Sequence, residues 1–383
     1  MNRVILIIII VIIGTTNVSA KNSSIVIDEK TGRILYQNNA YEKKLIASTT
    51  KIMTAILAIE NLDLNKKIEI GKEVLDSYGT NIYIEVGEKI SVIDLLYGLM
   101  LRSGNDAAMS LAVAVSGTEK EFVMLMNEKA RQIGMNNTTF ENAHGLDEKT
   151  QNYSTAYDMA LLMKYANNNK IFIEISNTNK YKTSSSKKTY LWYNRNKLLN
   201  EYKYCTGGKN GYTPSAGKTL VSTAKKDNHK LIAVSLNDSN IYENHKKLYE
   251  NIYTKYHLYK IVDKTDFKID TDLFQNKVQI KEDFEYPLTV EEKNNIKIKI
   301  VKLKNITQNE IIGYIEIRLK ENIIGKIDIY ENKKKENKSL SLKIKNYFEE
   351  TLKKLKLGLQ KSLKPGPLVP NPPEIYKLVL LTL

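Results

Sequence analysis

From Ser24 the chain alternates apolar and polar positions. Ile25 and Ile27, then Ile34, Leu35 and Tyr36 beyond Thr31-Gly32-Arg33, predict two strands joined by a turn at residues 28–32. After Ser48 the period changes. Ile52, Met53, Ile56, Leu57 and Ile59 recur at helical spacing and predict a strongly amphipathic helix with an N-cap candidate at its head. Further helical patterns cover residues 92–100, 106–115, 119–133 and 157–165, strands return at 218–224 and 230–236, and a helix follows at about 241–256. A hairpin, several helices and then strands imply one sheet assembled from distant parts of the chain, with helices packed on it.

Past about residue 263 the texture is different. Short period-two segments at 267–269, 277–280, 296–301, 314–318 and 326–330 predict a small all-β module. Leu340, Ile344, Phe348, Leu352, Leu355, Leu359 and Leu363 then recur every three or four residues, with Lys343, Lys345, Lys353, Lys354, Lys356 and Lys361 between them. This pattern predicts a basic amphipathic helix able to lie in a membrane interface, although the stripe also suits a helix packed on the β module. The last stretch, 365–383, holds five of the seven prolines and has no structural reading.

The N-terminus sets the compartment. Arg3 precedes the apolar run at 4–13, and the small and polar stretch after it ends Val18-Ser19-Ala20, the layout of a removable export signal. The run is shorter than the ~20 apolar residues that span a bilayer. The expected organisation is a signal peptide at 1–20, a main domain at 21–262, a β-rich domain at 263–335, a membrane-associating helix at 336–364 and a Pro-rich tail at 365–383. The protein is expected outside the cell, at the outer face of the cytoplasmic membrane.

Composition refines this picture. With 383 residues, 42% of them hydrophobic, the chain can bury one large core and a smaller one. A formal charge of +15 suits an anionic lipid or wall surface. Nucleic acid is disfavoured as a partner, because the charge is spread along the chain without zinc-finger spacing or an RNP-like aromatic motif. The single cysteine, Cys205, excludes an intramolecular disulfide and reads as a small hydrophobe.

Three short motifs carry candidate chemistry. Ser48-Thr49-Thr50-Lys51 opens the first helix, so the lysine projects beside the serine one turn on. A hydroxyl becomes nucleophilic only when a base takes its proton, and Lys51 can do so if burial or a nearby cation keeps it neutral. The same spacing at Ser184, Ser215 and Ser222 heads no such helix and reads as coincidence. Ser103-Gly104-Asn105 lies between two helical segments, where a second hydroxyl can relay a proton and an amide can hold a peptide carbonyl. Lys209-Asn210-Gly211, followed by Tyr212, offers a cation on a strand edge for a terminal carboxylate and a glycine for close backbone approach. Taken singly, the second motif also fits a helix-capping loop and the third a Gly-rich turn.

Together the motifs resemble the Ser-x-x-Lys, Ser-x-Asn and Lys-Thr-Gly set of penicillin-binding proteins and serine β-lactamases. Their settings are most similar to the low-molecular-weight D-alanyl-D-alanine carboxypeptidases. The likeness runs from residue 24 to about 262. It includes Thr31-Gly32-Arg33, residues 46–54, residues 103–108, Asn142-Ala143-His144-Gly145-Leu146-Asp147, Tyr153-Ser154-Thr155-Ala156 and residues 208–213.

The resemblance implies a transpeptidase-like α/β/α catalytic domain, a small β domain and a C-terminal amphipathic helix. It implies that Ser48 attacks the penultimate D-Ala carbonyl of a peptidoglycan stem peptide with Lys51 as base. Ser103 would pass the proton to the departing D-Ala. Asn105, Lys209, Asn210, Gly211 and Tyr212 would bind substrate, with the Ser48 and Tyr212 N–H groups as oxyanion hole. β-Lactams would bind covalently, and no metal or cofactor is required. His144 falls in the same likeness and reads equally as structural or catalytic. The chain departs from the family at Asn210, where Thr is usual. Two other readings stay open: a non-catalytic wall-binding protein, and a β-lactamase whose nearest candidate deacylating base is Glu141.

Overall fold

The computed structural model describes residues 22–267, 269, 273–274, 278–303, 311–331 and 345–354. The expected export signal and Pro-rich tail lie outside them. The chain divides into two compact units. The first takes in the described residues up to Asp263 together with Asp283–Lys297 and Arg318–Asn322, and the second Lys264–Glu282, Ile298–Ile317 and the described residues from Ile323.

The first unit is built on a five-stranded antiparallel sheet. Its order is Ile34–Asn38, Ser23–Asp28, His229–Leu236, Gly217–Lys226 and Cys205–Thr213, so strands about 200 residues apart in the chain pair in the centre. Side chains alternate between two cores, as a strand buried on both faces requires. Ile25, Ile27, Val221, Ile232 and Val234 face one layer. Val26, Leu220, Leu231 and Ala233 face the other.

The first layer is formed by α1 (Lys51–Asn61), α2 (Val92–Tyr97), α3 (Asn105–Ser116), α4 (Glu119–Gln132), α5 (Ala156–Ala166) and α6 (Lys170–Asn177). On the far side lie α7 (Leu198–Glu201) and α8 (Ile241–Lys255), whose Tyr249, Ile252 and Tyr253 fill the second core. This is the α/β/α architecture that the resemblance implied. α1 is more than the amphipathic surface helix its pattern suggested, because every residue from Lys51 to Ile59 is buried. A helix enclosed on all sides carries its polar residues only where partners exist.

The sequence pattern did not give every element of this unit. The helix α6 and the hairpin Lys180–Ser184 with Thr189–Tyr193 lie among polar, Lys-rich residues that mask their periodicity. The segment round Lys209, read either as a strand edge or as a Gly-rich turn, is part of a nine-residue edge strand, Cys205–Thr213, paired with Gly217–Lys226.

The second unit is built round a four-stranded sheet in the order Val278–Ile280, Asn322–Glu331, Ile311–Leu319 and Ile296–Lys302, at the expected positions. No strand forms at Phe267 or Ile269, and Lys268 lies outside the described residues. Of the expected C-terminal helix, residues 345–354 are helical and exposed, and the rest lies outside the described residues. Among the described residues no helix is long and apolar enough to cross a membrane.

Candidate active site

The site forms where the edge strand meets the start of α1. Ser48 sits in a 3-10 turn, Ala47–Thr50, rather than capping α1, whose N-cap is Thr50. Ala47 holds the left-handed region at φ 48°, an uncommon conformation for alanine of the kind found where a side chain is aimed under constraint. Thr219 fixes the turn from the sheet by donating its hydroxyl to the Ile46 carbonyl at 3.1 Å.

Lys51 is wholly buried, with its Nζ 3.1 Å from Ser48 Oγ, 2.8 Å from Asn105 Oδ1 and 2.5 Å from the His144 carbonyl oxygen. Burial, then the charge of Lys209, hold the amine well below the usual lysine range; Asp106 opposes this and Arg195 adds to it. A neutral amine has two hydrogens and one lone pair. Asn105 Oδ1 and the His144 carbonyl can only accept, so they take both hydrogens and leave the lone pair for the Ser48 hydroxyl. Asn105 is held in that sense because its Nδ2 donates to the Tyr78 carbonyl at 2.6 Å.

The second motif follows from an irregularity. After α2 the helix widens into a π-turn, Gly98–Arg102, and stops at Ser103, which is left-handed at φ 65° and buried. π-Turns and positive φ at a non-glycine residue recur at functional sites. They set Ser103 two residues before Asn105, the first residue of α3.

Lys209 is also buried, and its ammonium donates to the Asn210 carbonyl at 2.7 Å. Burial, then the charge of Arg195, lower its pKa to about 7. Gly211 packs so closely on the 3-10 turn that a Cβ there would lie 2.7 Å from the Ser48 nitrogen and 2.6 Å from Thr219 Oγ1. Tyr212 is exposed, and Asn210 lines an open groove of about 510 Å³ together with Tyr212, Lys218 and Tyr242.

His144 is neutral, its pKa pushed down to about 3 by burial first, with the Lys51 amine adding to this when it is charged. It contributes its main chain to the site, while its Nδ1 accepts the Leu146 N–H at 3.1 Å. Next to it, Gly145 at φ 88° lies where a Cβ would overlap the Ala47 carbonyl oxygen. Glu141 is engaged elsewhere, accepting the Gln151 N–H at 2.7 Å. Arg195, whose charge reaches both lysines, was missed in the sequence; in a Lys-rich chain nothing local sets it apart. Of the coincidental copies, Ser222 is bonded in the second core to His245 Nδ1 at 2.7 Å and Tyr249 OH at 2.8 Å. Burial pushes the Cys205 thiol up to about 11, so it is not a reactive thiolate.

A helical layer, a mixed-origin antiparallel sheet and a Ser–Lys pair wedged between them define a transpeptidase-like α/β/α protein with an appended β domain. The chain belongs to the D-alanyl-D-alanine carboxypeptidase family, whose model matches residues 12–240. Residues 260–337 match the C-terminal domain of penicillin-binding protein 5. D-alanyl-D-alanine carboxypeptidase DacF of Bacillus subtilis is 38% identical over 218 residues, 55% of this chain and 56% of that protein, so the match spans just over half of that relative. The D-alanyl-D-alanine carboxypeptidase of a Streptomyces species is 36% identical over 229 residues, 55% of this chain and 78% of that one. Among solved structures, D-alanyl-D-alanine carboxypeptidase DacD from Francisella tularensis superposes with a TM-score of 0.64 at 27% identity, covering 81% of this chain and 92% of that one.

Proposed function

We propose that this protein is a serine-type carboxypeptidase that removes the terminal D-alanine from peptidoglycan stem peptides through an acyl-enzyme on Ser48. The observation that carries this reading is the buried Lys51 amine with two obligate acceptors and the Ser48 hydroxyl around it.

In the proposed reaction Ser48 Oγ bonds to the penultimate D-Ala carbonyl carbon as its proton passes to Lys51. The N–H groups of Ser48 and Tyr212 receive the developing oxyanion, each such donor contributing about 3 kcal/mol in well-studied hydrolases. Collapse breaks the C–N bond, and Ser103 hands the proton from Lys51 to the departing amine. Water then attacks the ester, with the same groups returning the proton to Ser48. Asn105 and the edge strand from Lys209 to Tyr212 hold the peptide, with Lys209 on the terminal carboxylate. A β-lactam would follow the same first step and stay attached, because its leaving group remains tethered.

The reading extends to location. The export signal at 1–20 and the basic amphipathic stretch at 336–364 support action outside the cell, with the main domain (21–262) and β domain (263–335) held at the membrane surface and the tail (365–383) unassigned.

The test is incubation of the full chain with a peptide ending in D-Ala-D-Ala, with Ser48→Ala alongside, followed by assay of free D-Ala and mass spectrometry after penicillin treatment. Release and a stable adduct, both lost in Ser48→Ala, are expected. Neither release nor adduct would favour a non-catalytic wall-binding protein, and rapid sustained penicillin hydrolysis would reassign it as a β-lactamase.

A further inference from the structure

The Lys51 geometry depends on a loop that approaches from the back of the site. Within residues 142–146 the His144 carbonyl receives Lys51 at 2.5 Å, and the Ala143 carbonyl receives Thr54 Oγ1 at 2.6 Å. Lys51 and Thr54 lie three residues apart on one face of α1, so the loop is clamped to the helix by two successive carbonyls. From inside, Asn142 braces it, with Oδ1 accepting the His144 and Gly145 N–H groups at 3.2 and 2.6 Å.

From outside, Asn152 grips Asn142, its Oδ1 accepting the Asn142 N–H at 3.1 Å and its Nδ2 donating to the Asn142 carbonyl at 3.0 Å, and a second side chain reaches the next two residues. Glu119, at the start of α4, accepts the Ala143 N–H on Oε1 at 3.0 Å. The same oxygen lies 3.9 Å from His144 Nε2. Because His144 Nδ1 accepts from Leu146, the neutral ring carries its proton on Nε2, facing Glu119. Glu119 therefore meets the loop at the two residues whose carbonyls grip α1. It lies in none of the three catalytic motifs and in none of the short strings that carry the family likeness.

We propose that Glu119 is a positioning residue for the reaction: it fixes the 142–146 loop so that the His144 carbonyl holds one Lys51 hydrogen and the lone pair stays on Ser48. The proposal rests on Lys51 acting as base. The groups facing Glu119 are the His144 ring and, at longer range, the Tyr78 hydroxyl. Reach, more than charge, is what the position needs. Gln can still accept the Ala143 N–H, whereas Asp is one methylene short and Ala leaves that N–H without a partner.

The test uses the full chain as wild type, Glu119→Gln, Glu119→Asp and Glu119→Ala. Rates of acylation by a fluorescent penicillin are measured from pH 5 to 9, with melting curves for each protein. Glu119→Gln should stay within about threefold of wild type, while Glu119→Asp and Glu119→Ala should lose about tenfold or more in the plateau rate. In those two the acid limb should also move to lower pH, because losing a carbonyl acceptor removes a contact that favours the ammonium form. Loss of fold stability alone would leave that midpoint in place. If Glu119→Ala fails to fold, the Gln and Asp pair decides. An Asp variant as fast as wild type with the same midpoint, or a Gln variant as slow as Asp, overturns the proposal. Wild type that neither acylates nor releases D-Ala would sink the underlying functional reading, and this one with it.

Discussion

The Lys51 amine and the His144 carbonyl oxygen lie 2.5 Å apart, joining the first turn of α1 to a loop 93 residues further along the chain. This contact, with that to Asn105, determines what Lys51 can do. Two acceptors take two of its hydrogens, and burial beside cations weakens its hold on a third.

The two lysines predict a bell-shaped pH dependence. On the acid side Lys51 gains a proton and ceases to be a base. On the alkaline side Lys209 loses its charge as pH rises through about 7 in the free protein, and its grip on a carboxylate weakens. A bound carboxylate should raise the Lys209 pKa. The alkaline fall should therefore appear in kcat/KM and be displaced upward in kcat. Coincident alkaline limbs in both parameters would contradict this assignment of Lys209.

Lys209→Met should be more stable than wild type at pH 6.5. The folded-state pKa lies below that of an unfolded lysine, so the unfolded chain binds more protons and wild-type stability rises with pH from about 7. Replacing the buried cation with an apolar side chain should raise stability by ~1–4 kcal/mol at pH 6.5, and the difference should shrink by pH 9. Melting curves at the two pH values measure both effects, and a variant less stable than wild type at pH 6.5 would refute them.

Gly211→Ala should fold and fail at acylation. Its Cβ would press on the Ser48 nitrogen and on Thr219 Oγ1, pushing the edge strand off the 3-10 turn. A fall of about 100-fold in penicillin acylation, the size of losing one oxyanion donor, is expected. Acylation within a few fold of wild type would show that the strand need not approach so closely.

Asn210→Thr should raise D-Ala release several-fold. Thr has the better strand propensity and offers a short hydroxyl donor where Asn210 presents a longer amide beside the groove. Release measured on one D-Ala-D-Ala peptide, with penicillin acylation as control, tests this; unchanged release would mean that the amide serves equally well.

Much of the fold was legible, for reasons visible in particular residues. The helices α3, α4, α5 and α8 and the strands Gly217–Lys226 and His229–Leu236 carry long periodic patterns, and each lies within two residues of its expected bounds. The full length of Cys205–Thr213 was obscured by Gly207, Gly208 and Gly211, which weaken the strand signal; of these, Gly211 is the one that packs against the Ser48 nitrogen and Ala47. Ser48 and Lys51 could be paired from spacing alone. The His144 carbonyl, Glu119 and Arg195 could not, because they act through main chain, a single long-range hydrogen bond and long-range charge. None of these leaves a local pattern.

The most direct measurement is the titration of Lys51 itself, followed by NMR on protein labelled at lysine side chains and assigned with Lys51→Arg. Lys51 is expected to be neutral at pH 7 and to titrate far below an ordinary lysine. A Lys51 signal still cationic at pH 9 would contradict it.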